Sequence, residues 1–195
     1  MNHKIVYIDL EKRSVKIEDI PQDLIAKFLG GRGMNAYILF NQTKKGLDPL
    51  SGDNPLIIGP GLLTGFRGVT MARTTISGIS PDTGFLGDAN IGGHFGSWLK
   101  RTPYSYLVIK GKSAKPVYIL IENELISFLD ADFLWGKDTQ DTQGALKEKH
   151  GENAQCLVIG PAGENLVKFA CIMHRKKNAA ARTGLGCLMG SKKLK

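Results

Sequence analysis

The sequence predicts a β-rich α+β fold, duplicated into two similar β/α halves of roughly 1–111 and 112–195 that are related by a pseudo-twofold axis. Three observations predict it. Strand-sized apolar segments punctuated by Gly, Pro and Asn turns fill most of the chain. The run "NPLIIGPGLLTG" (54–65) is echoed by "QCLVIGPAGEN" (155–165), both apolar and both ending in Ile-Gly-Pro. After each echo come a second strand and a small-residue loop that enters a helix: "ARTTISGIS" and "DANIGGHFGSWLK" (88–100) in one half, "VKFACIMHR" and "NAAARTGLGCLMGSKK" (178–193) in the other. A repeated supersecondary unit accounts for all of these echoes, and it would set two similar loops across one shared surface.

The elements follow in order. "KIVYIDLEKRSVKIEDI" (4–20) alternates apolar and polar residues on either side of "EKRS", as a hairpin does. Pro21 opens a helix carried by Leu24, Ile25, Phe28 and Leu29 at helical spacing; Gly30, Gly31 and Gly33 end it, and "MNAYILF" begins another. "NPLIIGPGLLTG" reads as a buried strand running into a glycine turn, "ARTTISGIS" as a strand and "PDTG" as a turn. "DANIGGHFGSWLK" starts as a loop and finishes as a helix. "YSYLVIKGKSAKPVYILIENELISFLDA" divides into three short strands, and "DTQDTQGALKEKHG" is a surface helix with an acidic, Thr-rich start and a closing Gly151. "QCLVIGPAGEN" and "VKFACIMHR" supply the strands of the second half.

Composition narrows the function. With 42% hydrophobic and 23% charged residues, 195 residues suit one soluble globular domain. No apolar run approaches the length of a membrane span and no leader pattern opens the chain, so a cytoplasmic location is expected. Cys156, Cys171 and Cys187 are widely spaced and form no C-x-x-C, which excludes a zinc knuckle or an iron–sulfur site within this chain. His94 and His174 have no ligand-type partner at i+4. The net charge of +8 calls for a partner. The basic residues do not interleave with aromatics, and no RNP-like or helix-turn-helix pattern occurs, which argues against nucleic acid. "RKKN" (175–178) and "SKKLK" (191–195) read as a solvated basic face, or as part of a site for an anionic small molecule.

The two loops are the candidate site. Small residues in a strand-to-helix turn uncover backbone N–H groups, and a helix start adds partial positive charge. Arg73, on the strand before the first loop, and Arg182, inside the second, add charge-assisted contacts for an anion. No G-x-G-x-x-G and no P-loop spacing is present. Asp82, Asp88, Asp130, Asp132 and Asp138 read as turn and cap residues, and Glu164 as a cap or a ligand contact. No nucleophile elbow or triad appears, so no catalytic residue is assigned.

"IGPGLLTG", "DANIGGHFGSWLK", "IKGKSAKPVYI", "DADFLWGKDT", "IGPAGENLVKFACIM" and "GLGCLMGSKKLK", together with the opening "VYIDLEKRSVKIEDIPQDLIAKFLGGRGMNAYILF", resemble the N-terminal domain of the tungsten- or molybdenum-dependent aldehyde ferredoxin oxidoreductases. The resemblance runs through the whole chain in order. It implies a base for a bis-pterin cofactor, with magnesium bridging the pterin phosphates. By position it implies pterin contacts from Arg73, Asn90 and Gly92 in the first half and from Asn178, Ala179, Ala181 and Arg182 in the second. Magnesium would be met by the carbonyls of Asn90 and Ala179, and hard oxygen ligands suit that ion. Arg32, in "GGRG", would approach the cofactor. The second loop departs from the family's R-A-A-G-R-G-G pattern: Asn178 stands for an arginine, Ala181 and Thr183 for glycines. In the first loop Ile91 replaces a small polar residue.

The resemblance also implies what these residues do not hold. The four-iron cluster and the acid–base groups belong to the family's helical domains, outside these 195 residues, so the chain alone is expected to be inactive. In the complete enzyme an aldehyde is oxidised to a carboxylic acid and the electrons go to ferredoxin. The helical domains would cover an exposed apolar saddle, and a separate subunit carrying them or a homodimer are the other expected partners. The readings from other classes are a stand-alone pterin- or phosphate-binding module and a cofactor-free interaction domain.

Overall fold

The computed structural model describes residues 4–195. Its fold is mixed α+β. A hairpin of β1 (Lys4–Asp9) and β2 (Ser14–Asp19) leads to α1 (Gln22–Phe28) and α2 (Gly31–Gln42); then come β3 (Leu56–Pro60), β4 (Thr74–Ile79), β5 (Leu86–Ile91), α3 (Phe95–Leu99) and β6 (Tyr104–Lys110). These six strands form one sheet in the order β2-β1-β6-β3-β4-β5, in which β1 and β6 run parallel and all other neighbours antiparallel.

Period-two alternation divides the sheet's side chains between two cores. Ile5 of β1, Ile57 of β3, and Tyr106 and Val108 of β6 pack with Met34, Ile38 and Leu39 of α2. Val6 and Ile8 of β1, Leu56 and Ile58 of β3, Ile76 of β4, and Ala89 and Ile91 of β5 face the other way, against residues from the second part of the chain. Each fully buried Ile, Leu or Val contributes about 1.5–3 kcal/mol. The sheet therefore lies between a helical layer and the remainder of the protein.

That remainder comprises the β7 (Val117–Glu122)–β8 (Leu125–Asp130) hairpin, a 3-10 turn at Asp132–Leu134, α4 (Thr139–His150), α5 (Pro161–Glu164), the short β9 (Ile172–His174)–β10 (Asn178–Ala180) ribbon and α6 (Leu185–Ser191). Asp138 caps α4 by accepting from the Gln140 and Asp141 N–H groups at 2.7 and 2.8 Å, which is why "DTQDTQGALKEKH" starts where it does. The two parts carry unequal secondary structure. All six strands of the large sheet come from residues 4–110, whereas the later strands make two-stranded ribbons.

Several sequence expectations need correction. Gly31 and Gly33 lie in the first turn of α2, so the break falls at Leu29–Gly30, where both residues have positive φ. Residues 88–91 are the end of strand β5, not loop. "QCLVIG" is no strand: its sole ladder contact is a bridge from Val158 to Met173. Val158 and Ile159 are nonetheless fully buried, so the run is apolar because the core needs it.

The basic tail is solvated only at Lys193. Lys192 and Lys195 are fully buried, while Arg175, Lys176 and Lys177 are exposed as expected. Lys192 Nζ donates to the carbonyls of Gly52 (3.1 Å) and Gly111 (3.4 Å). Burial, reinforced by Lys112 and Lys110, pulls its ammonium down to about 7. Lys195 pairs with the buried carboxylate of Glu164 and donates to Lys137 O, and Glu164 accepts from the Gly136 N–H at 2.8 Å. Glu164 is thus a structural partner, neither a cap nor a ligand contact.

Candidate functional site

The site is built where the ends of β5 and β10 approach each other. Thr75 opposes Asn90 across β4–β5, and the Thr75 hydroxyl donates to Asn90 Oδ1 at 3.1 Å. Thr75 is itself held from behind: Asn35 of α2, fully buried, donates to Thr75 O and to Ser77 Oγ, both at 3.1 Å. This hydroxyl-bearing stretch of β4 explains a buried asparagine in an otherwise apolar helix face. Gly59 leaves room for it, since a Cβ there would lie 2.2 Å from Asn35 Oδ1. Asp88, on the same face of β5, is held by Arg32 of α2 (Nε to Oδ2, 2.5 Å). Asp88 is therefore an ion-pair residue rather than a turn or cap, and Arg32 is engaged with it while remaining largely exposed.

The glycines after β5 answer to different needs. Gly93 has φ +96°, and a Cβ there would lie 2.3 Å from His174 Cδ2 and 2.7 Å from Asn178 Nδ2. Gly96 sits against Thr74 Oγ1, 2.2 Å from where a Cβ would be, and lets α3 lie against Pro60 and Thr74, at the end of β3 and the start of β4. Gly92 is different: a Cβ would meet only ordinary contacts, Asn178 Oδ1 at 3.7 Å and Arg73 Nη1 at 3.9 Å. Arg73 from the first part of the chain and Asn178 from the second thus flank the space a side chain at position 92 would take. Arg73, Asn90, Ala181 and Arg182 are exposed, and Gly92, Asn178 and Ala179 half-buried.

The second loop is held by backbone contacts. Thr183 and Gly184 both have φ +67°. A Cβ on Gly184 would lie 1.8 Å from Lys168 O, on Gly186 2.5 Å from Cys171 O, and on Gly190 1.9 Å from Gly163 O. "GLGCLMG" is small because α6 lies directly on other backbone. Thr183, at a left-handed position that suits glycine, rests over Gly87, with Oγ1 and Cβ 3.0 and 3.2 Å from where a Gly87 Cβ would be. α3 and α6 span five and seven residues, so an anion here would rely on loop amides and arginines more than on a helix macrodipole.

Sequence reasoning named Arg73, Asn90, Gly92, Asn178, Ala179, Ala181 and Arg182. The structure brings the Arg73 and Asn178 side chains within 4 Å of the position a Gly92 Cβ would occupy, and pairs β10, which contains Ala179, with β9. It adds Thr75 and Asn35 behind Asn90, and His174 behind Gly93. The hydroxyl-rich "TTIS" of β4 was the available signal for the first pair; nothing in the sequence marks His174. Large apolar side chains are exposed in loops, among them Val69, Phe85 and Phe169. The three cysteines are unpaired. Among the described residues no cluster of His, Cys, Asp or Glu could hold a metal ion, and no helix is long and apolar enough to cross a membrane.

Residues 5–195 match the family model described as aldehyde ferredoxin oxidoreductase, N-terminal domain. The tungsten-containing aldehyde ferredoxin oxidoreductases of Thermococcus kodakarensis and Pyrococcus furiosus are 44% and 43% identical over 193 residues, 98% of this chain and 32% of each relative. An aliphatic sulfonate oxidoreductase, WOR-like subunit, of Pyrococcus furiosus is 34% identical, with 33% of its length covered. Among solved structures, the active-site complex BamBC of benzoyl coenzyme A reductase with 1,5-dienoyl-CoA matches with a TM-score of 0.96 and 34% identity, over 98% of this chain and 29% of that one. The chain thus spans about a third of the length of these relatives.

Proposed function

The chain belongs to the family of aldehyde ferredoxin oxidoreductase N-terminal domains, and from that premise we propose that it is the base on which a bis-pterin tungsten or molybdenum cofactor lies. The observation that carries the reading is the half-buried Gly92, where the space of a missing side chain is flanked by Arg73 from one half and Asn178 from the other. A side chain at position 92 would fill that flank, and its neighbours are a guanidinium and an amide, groups that suit phosphate and polar ring edges. The residues present fit the group.

Each residue then has a share. Arg73 and Arg182 carry the fixed positive charge that phosphates need, and the excess of Lys and Arg steers an anionic cofactor in. Asn90, oriented by the Thr75 hydroxyl, and the backbone of Gly92 define the first contact surface. Asn178, Ala179 and Ala181 define the second, and the carbonyls of Asn90 and Ala179 are the proposed oxygen ligands for magnesium. The pseudo-twofold relation between halves 1–111 and 112–195 rests in this reading on the two loop–helix units, not on whole sheets.

The bound metal–pterin group supplies the two-electron redox chemistry that converts an aldehyde to a carboxylic acid; this chain binds and orients it and moves no proton. The four-iron cluster, the acid–base groups, ferredoxin docking and the helical domains or subunit that hold them lie, on this reading, outside these residues, and a cytoplasmic location accompanies it.

The test is a titration of the isotope-labelled chain with magnesium and inorganic phosphate, followed by amide NMR. Amides of Gly92 and Gly93 and of Ala181 and Arg182 should shift with one shared midpoint, and Arg73→Ala should weaken both sets together. Shifts in one loop only, or in neither, would contradict the reading.

A further inference from the structure

We propose that His174 is a positioning residue that locks the first loop onto the second through a single, fixed imidazole tautomer. His174 is 1% exposed and ends β9, where it opposes Asn178 of β10. Its Nε2 lies 3.2 Å from the backbone N of His94, which can only donate, so Nε2 is the bare, accepting nitrogen. Its Nδ1 lies 2.8 Å from the carbonyl of Cys156, which can only accept, so Nδ1 carries the proton. One ring therefore joins three segments: the Gly92–His94 turn, the Cys156 strap and the β9–β10 ribbon. Phe95 closes the ring edge in a T-shaped contact at 6.4 Å. Gly93 makes the approach feasible, because any side chain there would enter the space of the imidazole.

The arrangement excludes two other roles for this histidine. Both nitrogens are occupied by backbone, so neither is free to ligate a metal or shuttle a proton. The charged form would place a second N–H against the His94 N–H, so the brace requires a neutral ring. Desolvation favours that state, with Arg175, His94 and Lys147 acting in the same direction against the Cys156 carbonyl. As the element that sets Asn178 beside Gly92, the brace deepens the cofactor reading and rests on it; as a link between the loops it stands without any ligand.

The test uses the labelled chain with no ligand added. Nitrogen-15 NMR of the His174 ring at neutral pH should show a protonated Nδ1 and a bare Nε2. Hydrogen exchange at the His94 amide should be roughly tenfold faster in His174→Ala. His174→Gln, whose side chain reaches as far as Nε2 and offers an oxygen, should restore protection; His174→Asn, which reaches only as far as Nδ1, should not. A proton on Nε2, unchanged exchange in His174→Ala, or equal behaviour of Gln and Asn would overturn the proposal. If an alanine variant fails to fold, the ring tautomer of the unaltered protein and the Gln–Asn contrast still decide. Failure here leaves the phosphate titration untouched, and failure of that titration leaves the brace untouched.

Discussion

The two loops use small residues for different reasons. The first continues from β5, a strand paired along six residues to the body of the large sheet, so its backbone is already placed. Gly93 makes room for side chains of the other half, and at Gly92 a side chain would meet only ordinary contacts. The second hangs from a ribbon of three-residue strands, and its glycines let α6 lie on the carbonyls of Lys168, Cys171 and Gly163. A similar composition thus marks access in one loop and close backbone packing in the other. Glycine content alone does not separate the two uses; what a Cβ would meet does.

Gly184→Ala should have the largest effect, because the added carbon meets a backbone carbonyl at 1.8 Å in a left-handed conformation. Strain and overpacking together should cost about 4 kcal/mol, or abolish folding, in urea denaturation. Gly93→Ala, where the obstacles are the side chains of His174 and Asn178, should cost about 2–3 kcal/mol and expose the His94 amide to exchange. A third variant concerns the tail that anchors α6. The unfolded chain protonates a lysine below about 10.5, but folded Lys192 only below about 7. Stability should therefore rise as pH climbs from 7 towards 10.5 and lie flat below 7, with a gain of about 1–2 kcal/mol between pH 7 and 9 that Lys192→Met lacks. Gly92→Ala should be smallest in stability, within about 0.5 kcal/mol. It should nonetheless weaken the shared phosphate response, which separates a glycine kept for access from one kept for packing.

Much of this was legible in the sequence. Period-two alternation located the β1–β2 hairpin and β4, apolar runs bounded by turn residues located β3 and β6, and cap chemistry bounded α4 between Asp138 and Gly151. The similar loops were visible as strings, and Arg73 and Asn178 do lie on either side of the position a Gly92 side chain would take. What stayed hidden depends on partners distant in sequence. Lys192 and Lys195 look solvated until the carbonyls of Gly52, Gly111 and Lys137 gather around them, more than 50 residues away in each case. Asp88 resembles a turn residue until Arg32 arrives from α2, and Glu164 a cap until Lys195 does. "QCLVIG" is apolar because Val158 and Ile159 are core, and apolar runs alone do not distinguish a ladder from a buried strap. Thr183, where the resemblance leads one to expect glycine, keeps the left-handed φ a glycine would take and lies against Gly87.

The central claim is that the two loops form one pterin-phosphate cradle. It is tested most directly by tungsten, molybdenum, magnesium and pterin analysis of the protein purified without oxygen from its native source, with whatever subunits accompany it. The account predicts tungsten or molybdenum together with pterin and magnesium, in constant ratio to the chain across the eluted peak. A folded chain that elutes with no pterin and neither metal would contradict it.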